Sequence, residues 1–159
     1  MTGIIGPPNN IGTGLIGTPS GMVIQTVITE VTGAQSTGLT DFTHFGDYDT
    51  NITPYFTNSI IRITFTSSVY NSTNDGHTYV TAYRNTTNLG HSSQGIKLVS
   101  SGPSGGGKWN NMHFIIRDTG HNTTSQITYK LYCKAGSGTA QLNYASGTPT
   151  TFMVEEISP

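Results

Sequence analysis

Cysteine is nearly absent from this 159-residue chain, where Cys133 stands alone. A single thiol makes no internal disulfide, so a disulfide framework is excluded. Its place in an alternating run points to a small buried side chain rather than a reactive one. Charge is scarce too: Asp, Glu, Lys and Arg make up 9% of the residues, against a usual ~25%. Seven Lys and Arg face eight Asp and Glu with no basic cluster, which removes the electrostatic footprint of a nucleic-acid binder. No run approaches the ~18 apolar residues of a membrane-crossing helix, and no membrane partner is expected. The N-terminus lacks the basic region and apolar run of a signal peptide, so export, if the protein works outside a cell, is expected by another route. Helical periodicity is missing throughout.

Thr, Ser, Asn and Gly fill the space left by charge. Apolar residues reach only 33%, but disorder usually accompanies high net charge, and the formal charge here is -1. Eight Tyr and six Phe, mostly within alternating runs, supply area for a core. A chain of this length buries roughly 70% of its unfolded surface as one domain without staples. A surface of hydroxyls and amides suits contact with other subunits or with sugars.

The chain divides near residue 21. Residues 1–21 hold six glycines and three prolines, and Thr2-Gly3-Ile4-Ile5-Gly6 recurs as Thr13-Gly14-Leu15-Ile16-Gly17. Gly and Pro deny this segment a helix or a central strand. It reads as an extended arm in which Ile4, Ile5, Leu15 and Ile16, spaced by Pro7 and Pro8, dock into a partner. Residues 22–159 read as one antiparallel domain of about eight to ten strands. They are expected at 22–30, 51–56 (broken by Pro54), 60–70, 78–84 with a segment after the 85–88 turn, 109–117, 126–134, 139–144 and 151–157. In 126–134, Ile127, Tyr129, Leu131 and Cys133 share one face, with Tyr132 on the other. Gly136-Ser137-Gly138 reads as a tight hairpin. Many short strands without helices indicate an all-β sandwich or jelly roll.

Chemical motifs are weak by comparison. The segment 102–108 matches the first seven positions of a P-loop, yet Trp109 replaces the magnesium-binding hydroxyl and the following residues read as a strand, not a helix. Asp47-Tyr48-Asp49 imitates the start of a calcium loop, but Ile52 stands where glycine is needed and Asn58 where the bidentate Glu belongs. His44, His77, His91, His113 and His121 show no metal-ligand spacing. Glu155 and Glu156 are split onto opposite faces by strand alternation. The sequons at Asn51, Asn71, Asn85 and Asn122 are what chance gives in so Asn- and Thr-rich a chain. No catalytic, cofactor or metal residues emerge, so a non-enzymatic role without cofactor is expected.

The order of Met22-Val23-Ile24-Gln25-Thr26-Val27, Ile60-Ile61-Arg62-Ile63, Ile127-Thr128-Tyr129-Lys130-Leu131, Gly136-Ser137-Gly138-Thr139 and Phe152-Met153-Val154-Glu155-Glu156-Ile157 resembles small virion proteins of tailed phages, notably marine ones, with C1q/TNF-like jelly-roll heads. The resemblance covers residues 22–159 and departs from the pattern around Asp47, Asp49 and Pro54. It implies a homotrimer whose inner sheet faces a three-fold axis, with Tyr129, Leu131, Tyr132, Phe152 and Val154 at the trimer interface or on the inner sheet. It also implies localisation in the virion, other capsid or tail proteins as partners, and host surface glycan as a further candidate partner. A short tail fibre or knob for host attachment is the leading expectation. A capsid decoration (cement) protein and a cellular carbohydrate-binding jelly roll are the alternatives.

Overall fold

The computed structural model describes residues 20–100, 108–143 and 149–159. Among these are eleven strands: β1 Val23–Val31, β2 Gln35–Thr37, β3 Thr43–Ile52, β4 Ile60–Asn71, β5 His77–Arg84, β6 Thr87–Asn88, β7 Lys97–Ser100, β8 Lys108–Asp118, β9 Ile127–Ala135, β10 Ala140–Leu142 and β11 Thr150–Ile157. Sheet one runs β1-β11-β4-β10-β2, with β8 on the other side of β4. Sheet two runs β3-β9-β5-β6, with β7 also on β5.

Three pairs of strands, β1/β2, β10/β11 and β6/β7, act as single interrupted strands. Both β1 and β2 run antiparallel to the β10/β11 line, and β6 and β7 lie along one edge of β5. With those joined, the pairings nest: β1 with β11, β3 with β9, β4 with β8, β5 with β7. That is one long hairpin, and rolling it up adds the β11–β4 and β9–β5 seams. The result is a jelly-roll sandwich of two antiparallel sheets, an architecture that limits exposed edges without helices.

Alternation places the core between the sheets. In β4, Ile61, Ile63, Phe65 and Val69 point inward and are buried. They meet Tyr129, Leu131 and Cys133 of β9 in one apolar cluster. Phe65 sits at its centre, 5.2 Å from Phe114 and edge-on to Phe152 and Tyr48 at 6.3 and 6.0 Å. Polar links also join the layers: Thr29 Oγ1 lies 2.7 Å from Thr50 Oγ1, and Asp118 of sheet one accepts from Tyr129 Oη at 2.8 Å and from Arg84 at 2.7 Å in sheet two.

Two expectations are corrected. The strand expected at 51–56 is β3, which ends at Ile52, while 53–59 is a loop. A register shift between Phe45 and Thr50 breaks the two-residue period in β3, and that bulge hid the strand. Gly136-Ser137-Gly138 is not a hairpin, because β9 and β10 belong to different sheets. It is a crossover. Gly138 has φ of +66°, and a Cβ there would clash with Thr73 Oγ1, so glycine serves close passage between the sheets rather than a two-residue turn.

Candidate functional site

The arm residues Ile4, Ile5, Pro7, Pro8, Leu15 and Ile16, and the P-loop-like segment 102–107, lie outside the described residues. Of the five domain residues tied to the trimer interface or inner sheet, Tyr129, Leu131, Phe152 and Val154 are fully buried between the two sheets of one copy. They face inward and form its core. Tyr132 stands on the outer face of sheet two, so it is the one of the five that another molecule can touch.

The outer face of sheet one is built by register. Ile28, Met153, Thr64 and Ile115 are successive cross-strand partners on β1, β11, β4 and β8. They form a row from one edge of the sheet to the other, apolar at three of its four positions. Ile28 is 53% exposed and Ile115 56%. Trp109, also 56% exposed, lies farther along β8 opposite Tyr70. On one side of the row runs Thr26, Glu155, Arg62 and Arg117. There Arg62 Nε donates to Glu155 at 2.8 Å, and this carboxylate holds the guanidinium above its ordinary pKa. On the other side run Glu30, Thr151, Thr66 and His113, with His113 Nδ1 3.0 Å from Thr66 Oγ1. A sheet face meant for water alternates to polar residues, so this row marks a surface suited to being covered.

The outer face of sheet two is different in kind. Tyr83, Tyr132 and His44 stack across β5, β9 and β3, with ring centroids 4.0 and 5.0 Å apart. His44 Nε2 ends the column 2.6 Å from Asp49 Oδ1. Beside it, Lys134 Nζ sits 4.8 Å from the Phe42 ring and 5.0 Å from that of Tyr79. Burial and the neighbouring Tyr132 raise the Tyr83 phenol pKa above its ordinary value.

A third feature occupies the end where the chain enters and leaves the domain. Gly21 N donates to Ser158 O at 3.0 Å, and Ser158 N to Met22 O at 2.8 Å. The chain therefore enters the domain at Gly21 and Met22 beside Ser158. Glu156, on the inward face of β11, is fully buried here. Its carboxylate accepts from the backbone N–H groups of Tyr55 at 3.0 Å and Phe56 at 3.1 Å and from the Gln25 amide, which fastens the 53–59 loop to sheet one. Burial pushes its pKa up, but these bonds and one from Ser59 outweigh that and hold it below the ordinary range. The same loop presents Tyr55 to solvent, and Met22 and Val23 at the start of β1 are exposed as well.

Among the described residues, no catalytic constellation follows from the geometry. Ser59 Oγ is 3.3 Å from His121 Nε2, but Ser59 is buried and both imidazole nitrogens face backbone carbonyls, of Ser59 at 2.9 Å and of Thr123 at 3.1 Å. Asp47 and Asp49 spend their carboxylates on Gln35 and His44. Among the described residues, no group of three His, Cys, Asp or Glu side chains converges on a metal-sized space. Asn71, a sequon residue, is buried and donates to the His77 and Ser137 carbonyls.

The surface residues that sequence reading missed are Ile28, Met153 and Ile115. Their signal was there in part: Phe114-Ile115-Ile116 is apolar on both phases of its strand. A row, however, exists only once four strands are in register, and register is set by contacts far apart in sequence.

No protein-family model matches the chain, and no curated protein sequence matches it. Among solved structures, it is similar to a chain of the infectious bursal disease virus Gt strain, at 15% identity and a TM-score of 0.41, over 92% of this chain and 42% of that one. It is also similar to the VP2 subviral particle of that virus, at 14% identity and a TM-score of 0.43, over 90% of this chain and 41% of that one. For the T13 particle the values are 14% and 0.38, over 91% and 40%. The three come from one virus, none is a tailed-phage or C1q/TNF protein, and this chain spans about 40% of their length.

Proposed function

We propose that this chain is a non-enzymatic virion structural protein, a homotrimeric jelly roll displayed on the particle and anchored by residues 1–21. The single observation that carries self-assembly is the apolar row Ile28, Met153, Thr64 and Ile115 on the outer face of sheet one. It runs out to β8, an edge strand, so the face of one copy can receive the edge of the next. A contact between two different patches of the same chain closes into a ring when the rotation fits, and three copies make the smallest such ring. The virion assignment rests on the phage-like order of segments in residues 22–159, and eight-stranded jelly rolls recur in virus shells as well as lectins. Within this reading, the loops at 72–76 and 136–139, opposite the arm, point outward as a short fibre or knob would present them to a host surface. The exposed Met22, Val23 and Tyr55 around the root of the arm favour a second reading, a decoration protein seated on a capsid.

Deletion of residues 1–20 tests the anchor. The truncated protein is expected to keep its melting temperature and trimer mass while losing incorporation into particles, since three arms per trimer attach multivalently. Full occupancy of the truncated protein on particles would overturn the anchoring role. A monomer in light scattering of the intact chain at micromolar concentration would overturn the trimer.

A further inference from the structure

We propose that the outer face of sheet two is a binding surface for an acidic saccharide, a sugar chain carrying carboxylates. The inference rests on this face alone and stands whether or not the chain works on a particle. Two lysines define its charge. Lys130 and Lys134 lie on the outward phase of β9 on either side of Tyr132, with Cα atoms ~13 Å apart by strand rise. Their cross-strand partners on β5 are Tyr83 and Tyr79. Among the described residues the ion pairs are His44–Asp49, Arg62–Glu155 and Arg84–Asp118. Neither lysine is in one, and the Asp49 carboxylate beside the stacked rings is taken by His44. The face is thus cationic on a chain whose formal charge is -1.

The aromatic geometry selects the partner. Tyr132 has Tyr83 on one side and His44 on the other, and Lys134 lies against Phe42 and Tyr79. Both faces of the central Tyr132 ring are covered by Tyr83 and His44, which disfavours insertion of an unstacked base or an apolar side chain at the middle of the face, since both need an open ring face. Left outward are ring edges, phenol hydroxyls and ammonium groups, held rigidly by the sheet. These are hydrogen-bond donors in an array, matched to a partner rich in hydroxyls with negative charge spaced along it. Each contact is weak alone, and presentation of several copies of the face on one assembly raises the avidity.

The test uses the purified full chain with tetragalacturonic acid, its methyl ester, and tripolyphosphate as probes, read by calorimetry. Binding of the acid is expected, with loss of binding on methyl esterification. Lys130→Glu and Lys134→Glu should each weaken it by about tenfold or more, the effect of losing one charge-assisted hydrogen bond. Tyr83→Phe and Tyr132→Phe keep the rings and remove only the hydroxyls; each should weaken binding by about fivefold with an unchanged melting temperature. Absence of binding, equal binding of the ester, or tripolyphosphate binding as tightly with no effect of the Tyr→Phe changes would overturn the proposal. So would a fall in oligomer mass on Lys130→Glu, which would make this face a contact between copies.

Discussion

Glu155 and Glu156 are neighbours in sequence with opposite fates, and the difference is one step of strand pleat. Glu155 points outward to Arg62 and Glu156 inward to the 53–59 loop. Because the folded pKa of Glu156 is lowered, its contribution to stability is fully present above the unfolded carboxylate value of about 4.3. It is lost as pH falls through the lower folded value. Glu156→Gln places an amide N–H against backbone N–H donors and should cost about 1–3 kcal/mol at neutral pH. In urea titrations, the gap between wild type and Glu156→Gln should shrink steadily below about pH 4; a gap unchanged down to pH 2 would show that the charge is not what holds the loop. Cys133 makes the contrary case. Burial pushes its thiol up to about 12, so iodoacetamide should leave the native protein unmodified at pH 8 and label it only after unfolding.

Strands that alternate cleanly were legible in the sequence, and those interrupted by tertiary demands were not. The 60–70 and 126–134 runs correspond to β4 and β9 because inward Ile61, Ile63 and Phe65, or Ile127, Tyr129 and Leu131, repeat every second residue. Leu131→Ala or Ile63→Ala should therefore cost about 2–5 kcal/mol, with urea midpoints as the readout. The bulge in β3 put Phe45 and Tyr48 inward out of phase, and no local rule flags such a shift. Glycines at 136 and 138 carry the same local signature for a hairpin as for a crossover; what decides is the pairing of β10 with β4 rather than β9. Gly138→Ala separates the two meanings, since a Cβ there meets Thr73. It should destabilise by more than about 1 kcal/mol, and a neutral result would show that the crossover relaxes at no cost. The surfaces were the least legible part. Tyr132 was placed on a face by alternation, whereas the sheet-one row and the Tyr83–Tyr132–His44 stack exist only after distant strands align.

At the scale of the whole molecule, the two outer faces differ in chemistry: sheet one carries an apolar row, sheet two a ring stack flanked by two lysines. Ile115→Asp places a charge at the β8 edge of the proposed trimer contact, yet it faces away from the core. Light scattering should give a monomer for this variant, with cooperative melting retained; an intact trimer would move the contact to another face. The nesting of the strands has one more consequence, and it concerns synthesis. Since β1 takes β11 as its partner, with Val23 opposite Ile157, β1 leaves the ribosome well before the strand it pairs with and waits for it. Sheet one cannot close on a nascent or prematurely terminated chain, and each nested pairing inward closes a shorter loop, so the β5–β7 turn is the natural starting point for folding. Products that stop short of β11 therefore keep open sheet edges that quality control can recognise, and only chains that include β11 close sheet one.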